Sequence, residues 1–445
     1  MTKDKLMLYT FIALLAITVV SAVLWSPVTT PSGWNLGLTV IVSALIAVGV
    51  AVGIDALFYK LVSDSPLNLM SAAVFGLIVA LSYSLGLPAM LSPGSEMLPV
   101  QAPDAFIFIA LISMVGMVLF KKLFGGKVNP AAAAKLLILL PLLNSVLIAK
   151  DHLTSGFFGY GIPSLAGPIG YDVIANNGVA PFSFASHIIG CFANPTVTGL
   201  ATTPDNVLSL LLLTKFHGWV GGASSIAVII AGVALFIVAR RFIKWRITLA
   251  YFVSVGVMAL LMATAYGDQN LLLRLMFSFF IGSSIFMAFF MATDPATTPL
   301  TYKGQLTFGV GLGVLTILIQ TYMNFFGGAI LALIIMNLFA SKFDKIGLLK
   351  PRTEKKEPKL PKAKQFPAEK VKEYACMKCG ACMRVCCHNL SPILLKQAFD
   401  KQDFDTLAKL HADYCTGCGH CTFVCPARID LRRSILQAKG MLRQE

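Results

Sequence analysis

Residues 35–58 read NLGLTVIVSALIAVGVAVGIDALF, and Asp55 is the one charged side chain in this run. A helix of about 20 apolar residues is long enough to cross the ~30 Å hydrocarbon core of a bilayer. In the whole 445-residue chain, 56% of the residues are hydrophobic and 13% are charged. A soluble domain needs more polar surface than that. The stretch therefore predicts a membrane-spanning helix in a chain that mostly faces lipid.

Similar apolar runs lie on both sides of this stretch. They predict an all-α polytopic membrane domain over residues 1–345 with about ten transmembrane helices. The predicted spans are 7–26, 35–58, 67–92, 104–124, 131–149, 218–239, 246–266, 271–293, 305–322 and 326–341. The first run lacks a small-residue cleavage site and is too long for a signal peptide, so we interpret it as a retained helix.

The loops between these runs differ in charge. Those on one side carry most of the basic residues, namely Lys3, Lys5, Lys60, Lys121, Lys122, Lys127, Arg240, Arg241, Lys244, Arg246, Lys303, Lys342 and Lys345. The other side carries Lys150, Lys215 and Arg274. Because basic loops stay in the cytoplasm, we predict an inner-membrane protein with both termini cytoplasmic and with segment 150–217 on the outer side. Topology and contact with membrane lipid also explain the net charge of +15, so no nucleic-acid partner is expected.

The composition changes after the last apolar run. Residues 346–370 mix Pro with Lys and Glu, which is typical of a semi-rigid solvated linker. The chain has 10 cysteines, and all except Cys191 lie in the region 371–445, between Cys376 and Cys425. Closely spaced thiols on the cytoplasmic side favour a metal centre over disulfides. We therefore predict a separate metal-binding domain at 371–445.

Two cysteine runs in this domain have the same spacing, C-x2-C-x2-C-x3-C. At this spacing three cysteines hold one [4Fe–4S] cluster, and the fourth cysteine of each run ligates the other cluster. The predicted ligands of cluster 1 are Cys376, Cys379, Cys382 and Cys425, and those of cluster 2 are Cys415, Cys418, Cys421 and Cys386. A pair of zinc sites is the alternative, but a tetrahedral site takes fewer than four cysteines from one tight run.

Cys387 stands where a proline is expected after Cys386. We interpret it as a spectator thiol, and its exchange into the ligand set of a cluster is the alternative.

Apolar residues recur at helical spacing between the two runs, at Leu394, Leu395, Phe399, Leu407 and Leu410. They predict two short amphipathic helices that cover the clusters. With its connector of Asp403, Phe404, His411 and Cys415, region 371–445 resembles the helical ferredoxin domain at the end of the Rnf complex C subunit.

Three stretches of the apolar region are unusual: 122–131 (KLFGGKVNPA), 291–305 (MATDPATTPLTYKGQ) and 335–340 (IMNLFA). Asn-Pro and Asp-Pro at span ends break helices and free backbone groups for a ligand, or they are simple helix termini. In this order and within a ten-span frame, the three stretches resemble the family of the Rnf complex D subunit and the B subunit of the sodium-pumping NADH:quinone reductase.

The resemblance implies an integral subunit of an ion-translocating redox complex, with FMN esterified to a threonine on the outer side and a second, non-covalent flavin as an optional cofactor. The attachment motif of the family reads roughly D-x-x-S-G-A-T, and the best match here is TGLATTP at 198–204. This match implies covalent FMN at Thr202, with Thr203 as the alternative acceptor. Leu200 replaces the glycine of the motif and the aspartate is missing, so ordinary turn chemistry before Pro204 is the other interpretation.

Together these features predict a membrane subunit that passes electrons between cytoplasmic clusters and an outer flavin, coupled to Na⁺ or H⁺ transport. The expected enzyme is of the ferredoxin:NAD⁺ or ferredoxin/NADH:quinone oxidoreductase type. Its expected partners are other membrane subunits and ferredoxin or a cytoplasmic redox subunit. No Gly-rich dinucleotide motif follows a strand, so NADH chemistry would belong to a partner and the chain is not catalytic alone.

Two other functions remain open at this point. The first is a non-pumping membrane electron conduit to quinone or to an outer acceptor. The second is a transport channel with a regulatory cluster domain. Asp55 and Lys135 are functional candidates because charges within spans are rare, although side chains near a span end can also reach the interface.

Overall fold

The computed structural model describes residues 3–26, 35–61, 67–83, 102–138, 220–266, 275, 278–280, 284–322, 328–347 and 373–442. All of the regular structure in these ranges is helical. The predicted outer segment 150–217 lies outside the described residues, and with it Thr202, Thr203 and Cys191.

The membrane domain is a bundle of apolar helices, which confirms the all-α polytopic prediction. Among the residues that the structure describes, five helices are long and apolar enough to cross a bilayer: Asp4–Trp25, Gly37–Leu61, Phe106–Leu123, Trp245–Ala265 and Tyr302–Ile319. The full bounds are Lys3–Trp25, Leu36–Leu61, Leu69–Ser82, Ala102–Val115, 130–138, Ser225–Val238, Trp245–Tyr266, Ser284–Phe286, Tyr302–Tyr322, Gly328–Leu338 and Ala340–Ile346.

Each of the ten predicted spans overlaps helical residues in the described part of the chain. Spans 67–92, 131–149 and 271–293 continue into residues that the structure does not describe. The sequence did not predict two π-helical segments, Gly116–Leu123 and Met287–Met291, because a π turn leaves the apolar pattern almost unchanged. The predicted span 326–341 ends at Leu338, and a separate helix, Ala340–Ile346, follows.

Small residues allow close helix packing at the contact between helices Trp245–Tyr266 and Tyr302–Tyr322. A Cβ atom on Gly309 would lie 2.6 Å from the Ile247 carbonyl oxygen, and one on Gly313 would lie 2.8 Å from Ser254 Cβ. Ser254 Oγ donates to the Val310 carbonyl 2.9 Å away across the same contact. Glycines four positions apart let helix backbones approach where lipid supplies no hydrophobic driving force.

Replacing Gly309 with alanine should therefore destabilise the bundle, because backbone atoms of the facing helix would have to move. We expect a loss of about 1–3 kcal/mol, the usual cost of overpacking. Gly49→Ala is the matched control, since nothing lies within 4 Å of a Cβ there. Thermal unfolding in detergent, followed by size-exclusion chromatography, measures both. Equal melting temperatures for the two variants would contradict the packing argument.

Loops predicted to lie on the same side of the membrane meet at one end of the bundle. Lys122 Nζ lies 2.7 Å from Asp55 Oδ1, and Asn129 Nδ2 donates to the Met291 carbonyl over 3.3 Å. Lys244 Nζ donates to the Pro295 carbonyl over 2.9 Å. We call this region, formed by segments 122–129, 239–244, 291–301 and 344–347, the basic end.

The two charged candidates within the spans both have structural contacts. Asp55 pairs with Lys122, and its Oδ2 accepts a hydrogen bond from the Asn68 amide over 2.8 Å. The Asp55 side chain thus joins helix Leu36–Leu61 to the basic end. Lys135 is only 1% exposed and donates to the Ser82 carbonyl. Its side chain is therefore packed inside the bundle and not extended over the bundle surface.

The tail forms a small helical domain of its own. Its helices are Ala381–Arg384, Pro392–Asp400, Phe404–Lys409, His420–Phe423 and Leu431–Met441. The second and third confirm the two predicted amphipathic helices, and they bury Leu395, Leu407 and Leu410 in the tail's core. Asp403 begins the third helix by accepting a hydrogen bond from the Thr406 amide over 3.0 Å.

The tail also contains an internal repeat. Each residue of the second cysteine run follows its counterpart in the first run by 39 positions, as Cys415 follows Cys376. Gly380 and Gly419 are counterparts with φ of 71° and 80°, and each precedes one of the two short helices, Ala381–Arg384 and His420–Phe423. Left-handed backbone at these positions favours glycine. The two runs therefore fold in the same way around two similar sites.

Candidate electron-transfer site

Four thiols line a small cavity at the first cysteine run. They are those of Cys376, Cys379, Cys382 and Cys425, and the rest of the lining includes Ile393, Ile429 and Leu431. A second cavity is lined by Cys386, Cys415, Cys418 and Cys421, together with Leu390 and Ile435. Each cavity takes three thiols from one run and the fourth from the other run. The structure thus brings together the two sets of four that the spacing predicts, while ligation itself stays a prediction.

Backbone amides in both runs point at sulfur atoms. The Lys378 amide lies 3.4 Å from Cys376 Sγ, the Gly417 amide 3.4 Å from Cys415 Sγ, and the Leu390 amide 3.3 Å from Cys386 Sγ. Such hydrogen bonds stabilise thiolates and tune the potential of a cluster.

The thiols around each cavity suit a group larger than one ion. In the part of the chain that the structure describes, no three Cys, His, Asp or Glu side chains converge as they would around a single metal ion. A zinc site needs four ligands at about 2.0–2.3 Å from one centre. Four sulfurs spread around an apolar cavity fit a [4Fe–4S] cluster better.

Two of the thiols, those of Cys382 and Cys421, have the raised pKa values of unreactive cysteines. Burial raises the pKa of Cys382 well above its usual value, and burial together with the nearby Cys415 thiol raises the pKa of Cys421 to about 11. Nucleophilic cysteines have lowered pKa values, so this chemistry is not expected of Cys382 or Cys421. Because metal ligands must be thiolates, iron binding here has to displace protons.

Cys387 lies beside the second cavity. Its Sγ is 3.6 Å from Cys418 Sγ, and both side chains are exposed. Cys387 is thus close enough to Cys418 to exchange with it as a cluster ligand, and it can equally be a spectator thiol. Both interpretations from the sequence therefore stand.

Two charged residues that the sequence did not single out hold the 291–301 loop of the basic end. Lys244 is 2% exposed, and its Nζ donates to Pro295 O, Thr298 O and Thr298 Oγ1 over 2.9, 2.8 and 2.9 Å. Burial lowers the pKa of Lys244 to about 7, against the opposing charges of Asp344 and Asp294. By composition, Lys244 looks like any other basic loop residue, so no sequence signal distinguished it.

Asp344 holds the same loop from its other side. Its Oδ1 accepts hydrogen bonds from the amides of Leu300 and Thr301 over 2.6 and 3.0 Å, just before helix Tyr302–Tyr322 begins. Burial raises the pKa of Asp344, while these hydrogen bonds act in the opposite direction. The loop between two helices is thus fixed by one buried lysine and one carboxylate.

The tail lies against this loop. Lys378 Nζ donates to the Ala296 carbonyl over 3.2 Å, and the Arg384 guanidinium donates to the carbonyls of Arg240 and Arg241. Met377, Cys379 and Ala381 belong to the apolar core of the membrane domain. Leu300 of the loop belongs in turn to the core of the tail.

A cavity of about 260 Å³ lies between the start of the first cysteine run and the bundle. Cys376 and Met377 line it on the side of the tail. Its other walls are mostly apolar, with polar side chains from Lys121, Asn129 and Asp294. Cavities of this kind, apolar with a few convergent polar groups, are typical of small-molecule and cofactor sites.

Comparison with known proteins matches residues 3–352 to the NQR2, RnfD, RnfE family and residues 355–429 to a 4Fe-4S dicluster domain. The chain belongs to the NQR2, RnfD, RnfE family. This confirms the resemblance seen in the 122–131, 291–305 and 335–340 stretches, and it confirms that the tail is a dicluster domain. The members are membrane-integral, in agreement with the apolar helices of this chain.

Relatives within the family differ in their ion and in their redox partners. The D subunit of the Na⁺-translocating ferredoxin:NAD⁺ oxidoreductase complex of Acetobacterium woodii is 26% identical over 318 residues, which is 70% of this chain and 82% of the relative. The D subunit of the proton-translocating ferredoxin:NAD⁺ oxidoreductase complex of Clostridium ljungdahlii is 30% identical over 137 residues, 30% of this chain and 40% of the relative. The B subunit of the Na⁺-translocating NADH-quinone reductase of Chromohalobacter salexigens is 32% identical over 159 residues, which is 33% of this chain and 38% of the relative.

Proposed function

We propose that this member of the NQR2, RnfD, RnfE family is a membrane subunit of an Rnf-like ion-translocating oxidoreductase complex. Electrons pass between [4Fe–4S] clusters in its tail, on the cytoplasmic side, and a covalent flavin on the outer side. This passage is coupled to Na⁺ or H⁺ transport. The observation that carries the proposal is the contact between a dicluster tail and the basic end of the bundle, the end that the charge pattern predicts to be cytoplasmic.

The names of the relatives support a multi-subunit setting. Those from Acetobacterium woodii and Clostridium ljungdahlii name ferredoxin and NAD⁺, and the one from Chromohalobacter salexigens names NADH and quinone. For this chain we propose other membrane subunits as partners, with ferredoxin or a cytoplasmic redox subunit exchanging electrons at the tail. Catalysis then belongs to the complex and not to this subunit alone.

The proposed cluster ligands are the two cavity-lining sets of four cysteines. A cluster bound there supplies one-electron transfer. The part played by the chain is to hold iron through thiolates, to exclude water with apolar walls, and to direct amides such as that of Lys378 at the sulfurs.

Two flavin sites belong to the proposal. The first is a phosphoester at Thr202, with Thr203 as the alternative, and only a hydroxyl can form such an ester. The second is a non-covalent flavin in the 260 Å³ cavity, whose apolar walls suit a planar ring and whose Lys121, Asn129 and Asp294 side chains offer polar contacts. Both rest on the family resemblance, and the cavity supports the second.

In-gel fluorescence tests the covalent flavin. The chain, made together with its partner subunits and a flavin transferase, is expected to fluoresce after denaturation. Thr202→Ala should abolish the signal, since the acceptor oxygen is gone, and Thr203→Ala should retain it. A wild-type band without fluorescence would contradict the proposal of a covalent flavin. Loss of the signal only in Thr203→Ala would show that Thr203, and not Thr202, carries the flavin.

Proteoliposomes that contain the complex test the coupling. Redox turnover is expected to drive uptake of Na⁺ or H⁺ into the vesicles. Turnover without uptake of either ion would favour the non-pumping conduit.

A further inference from the structure

The two halves of the tail repeat have different surroundings. Arg384 directly precedes the valine–cysteine pair that ends the first run, and Phe423 is its counterpart 39 positions later. Arg384 donates to the carbonyls of Arg240 and Arg241 in the membrane domain, whereas Phe423 is 92% exposed. Equivalent positions in one fold thus face the bundle in the first run and solvent in the second.

Other residue pairs show the same asymmetry. Cys379 is buried in the core of the membrane domain, and its counterpart Cys418 is exposed. Lys378 donates to Ala296 of the 291–301 loop. At its counterpart, Gly417, the atoms nearest to an added Cβ belong to Leu436 and Arg432 of the tail itself.

The apolar cores of the tail and the bundle also meet on the side of the first run. Met377 and Ala381 pack into the membrane-domain core, and Leu300 packs into the core of the tail. A Cβ atom on Gly380 would lie 3.7 Å from the Leu300 carbonyl oxygen. A surface that combines buried apolar side chains with charged donors on backbone carbonyls has the composition of a specific interface.

We infer that the first repeat of the tail is a docking surface for the 291–301 loop, so that the cluster site of the first run faces the membrane domain and that of the second run faces an external electron donor. This inference rests on the proposed function, because it needs both clusters. With both clusters bound, the second-run site would accept an electron from a reduced iron–sulfur carrier protein. The first-run site would pass electrons singly, with no bond made or broken, to the flavin proposed in the adjoining cavity.

Charge reversal at Arg384 tests the docking, with Phe423→Glu as the matched control at the same repeat position. In Arg384→Glu the new carboxylate faces the Arg240 and Arg241 carbonyls. Amides of 291–301 and 376–384 should then exchange hydrogen about tenfold faster than in wild type, since charge-assisted hydrogen bonds are lost. Phe423→Glu should leave both segments as protected as in wild type. Unchanged exchange in Arg384→Glu, with both clusters present, would overturn the inference.

A second measurement needs no change at the interface. Variants Cys379→Ser and Cys418→Ser of the full chain should each retain one cluster, that of the second and of the first run respectively. A soluble dysprosium chelate should enhance the electron-spin relaxation of the cluster in Cys379→Ser several-fold more than in Cys418→Ser. Equal enhancement would exclude a membrane-facing first site. Wild-type chain without two [4Fe–4S] signals would instead refute the proposed function, so the two failures are distinguishable.

Discussion

Cys425→Ser is expected to remove the cluster of the first run, although Cys425 belongs to the second run. Its thiol lines the cavity of Cys376, Cys379 and Cys382, so its loss leaves that site with three sulfurs. Iron should decrease from about eight to about four atoms per chain, since each cubane holds four. The measurement is iron and labile sulfide content together with EPR of the reduced protein.

Comparison among cysteine variants tests the crossed arrangement. Cys425→Ser should leave the same residual EPR signal as Cys379→Ser and a different one from Cys418→Ser. Cys387→Ser is the matched control, because this thiol lies beside the second cavity but does not line it, and both clusters should remain. If Cys425→Ser and Cys418→Ser gave the same residual signal, each run would hold its own cluster and the crossed assignment would be wrong.

The tail shows how far local sequence can predict a site. The cysteine spacing alone grouped the eight thiols as the cavities now group them, because the C-x2-C-x2-C-x3-C geometry constrains the backbone locally. The helical period of Leu394, Leu395, Phe399, Leu407 and Leu410 likewise predicted helices Pro392–Asp400 and Phe404–Lys409. Both signals lie within a few residues of the structure that they predict.

The docking of the tail could not be predicted in this way. Arg384 and Lys378 have no local feature that marks them as contacts to carbonyls more than 80 positions earlier in the chain. The linker composition at 346–370 indicates length and stiffness but no orientation. One unused signal was the repeat itself, since an arginine and a phenylalanine at equivalent positions already indicated two different environments.

Lys244 was missed for a related reason. The positive-inside pattern explains a lysine at this loop without a further role. Its burial depends on the 291–301 loop, which lies about 50 positions later and places the carbonyls of Pro295 and Thr298 around Nζ. The same tertiary arrangement makes Lys244 the position where a single substitution should affect the basic end most.

Lys244→Met is expected to destabilise the protein and to loosen the 291–301 loop. Methionine fills a similar volume but leaves the carbonyls of Pro295 and Thr298 without their donor. Buried acceptors without a donor cost about 1–3 kcal/mol each, and removal of a buried amine offsets part of this cost. We expect a net loss of about 2–4 kcal/mol, seen as a lower melting temperature in detergent. Lys345→Met is the control, because this exposed lysine lies at the same end.

The loss of folding stability in Lys244→Met should also depend on pH. In the folded chain burial lowers the pKa of Lys244 to about 7, from 10.5 for the unconstrained side chain. Between these values the unfolded chain binds one proton more than the folded chain, so the contribution of Lys244 to stability increases as pH rises through this window. Below about pH 7 both states are protonated and the contribution is constant. The gap in melting temperature between wild type and Lys244→Met should therefore widen from pH 7 to pH 9. A gap that stays constant over this range would show that the buried amine keeps its proton and that its charged form, not its neutral form, holds the loop.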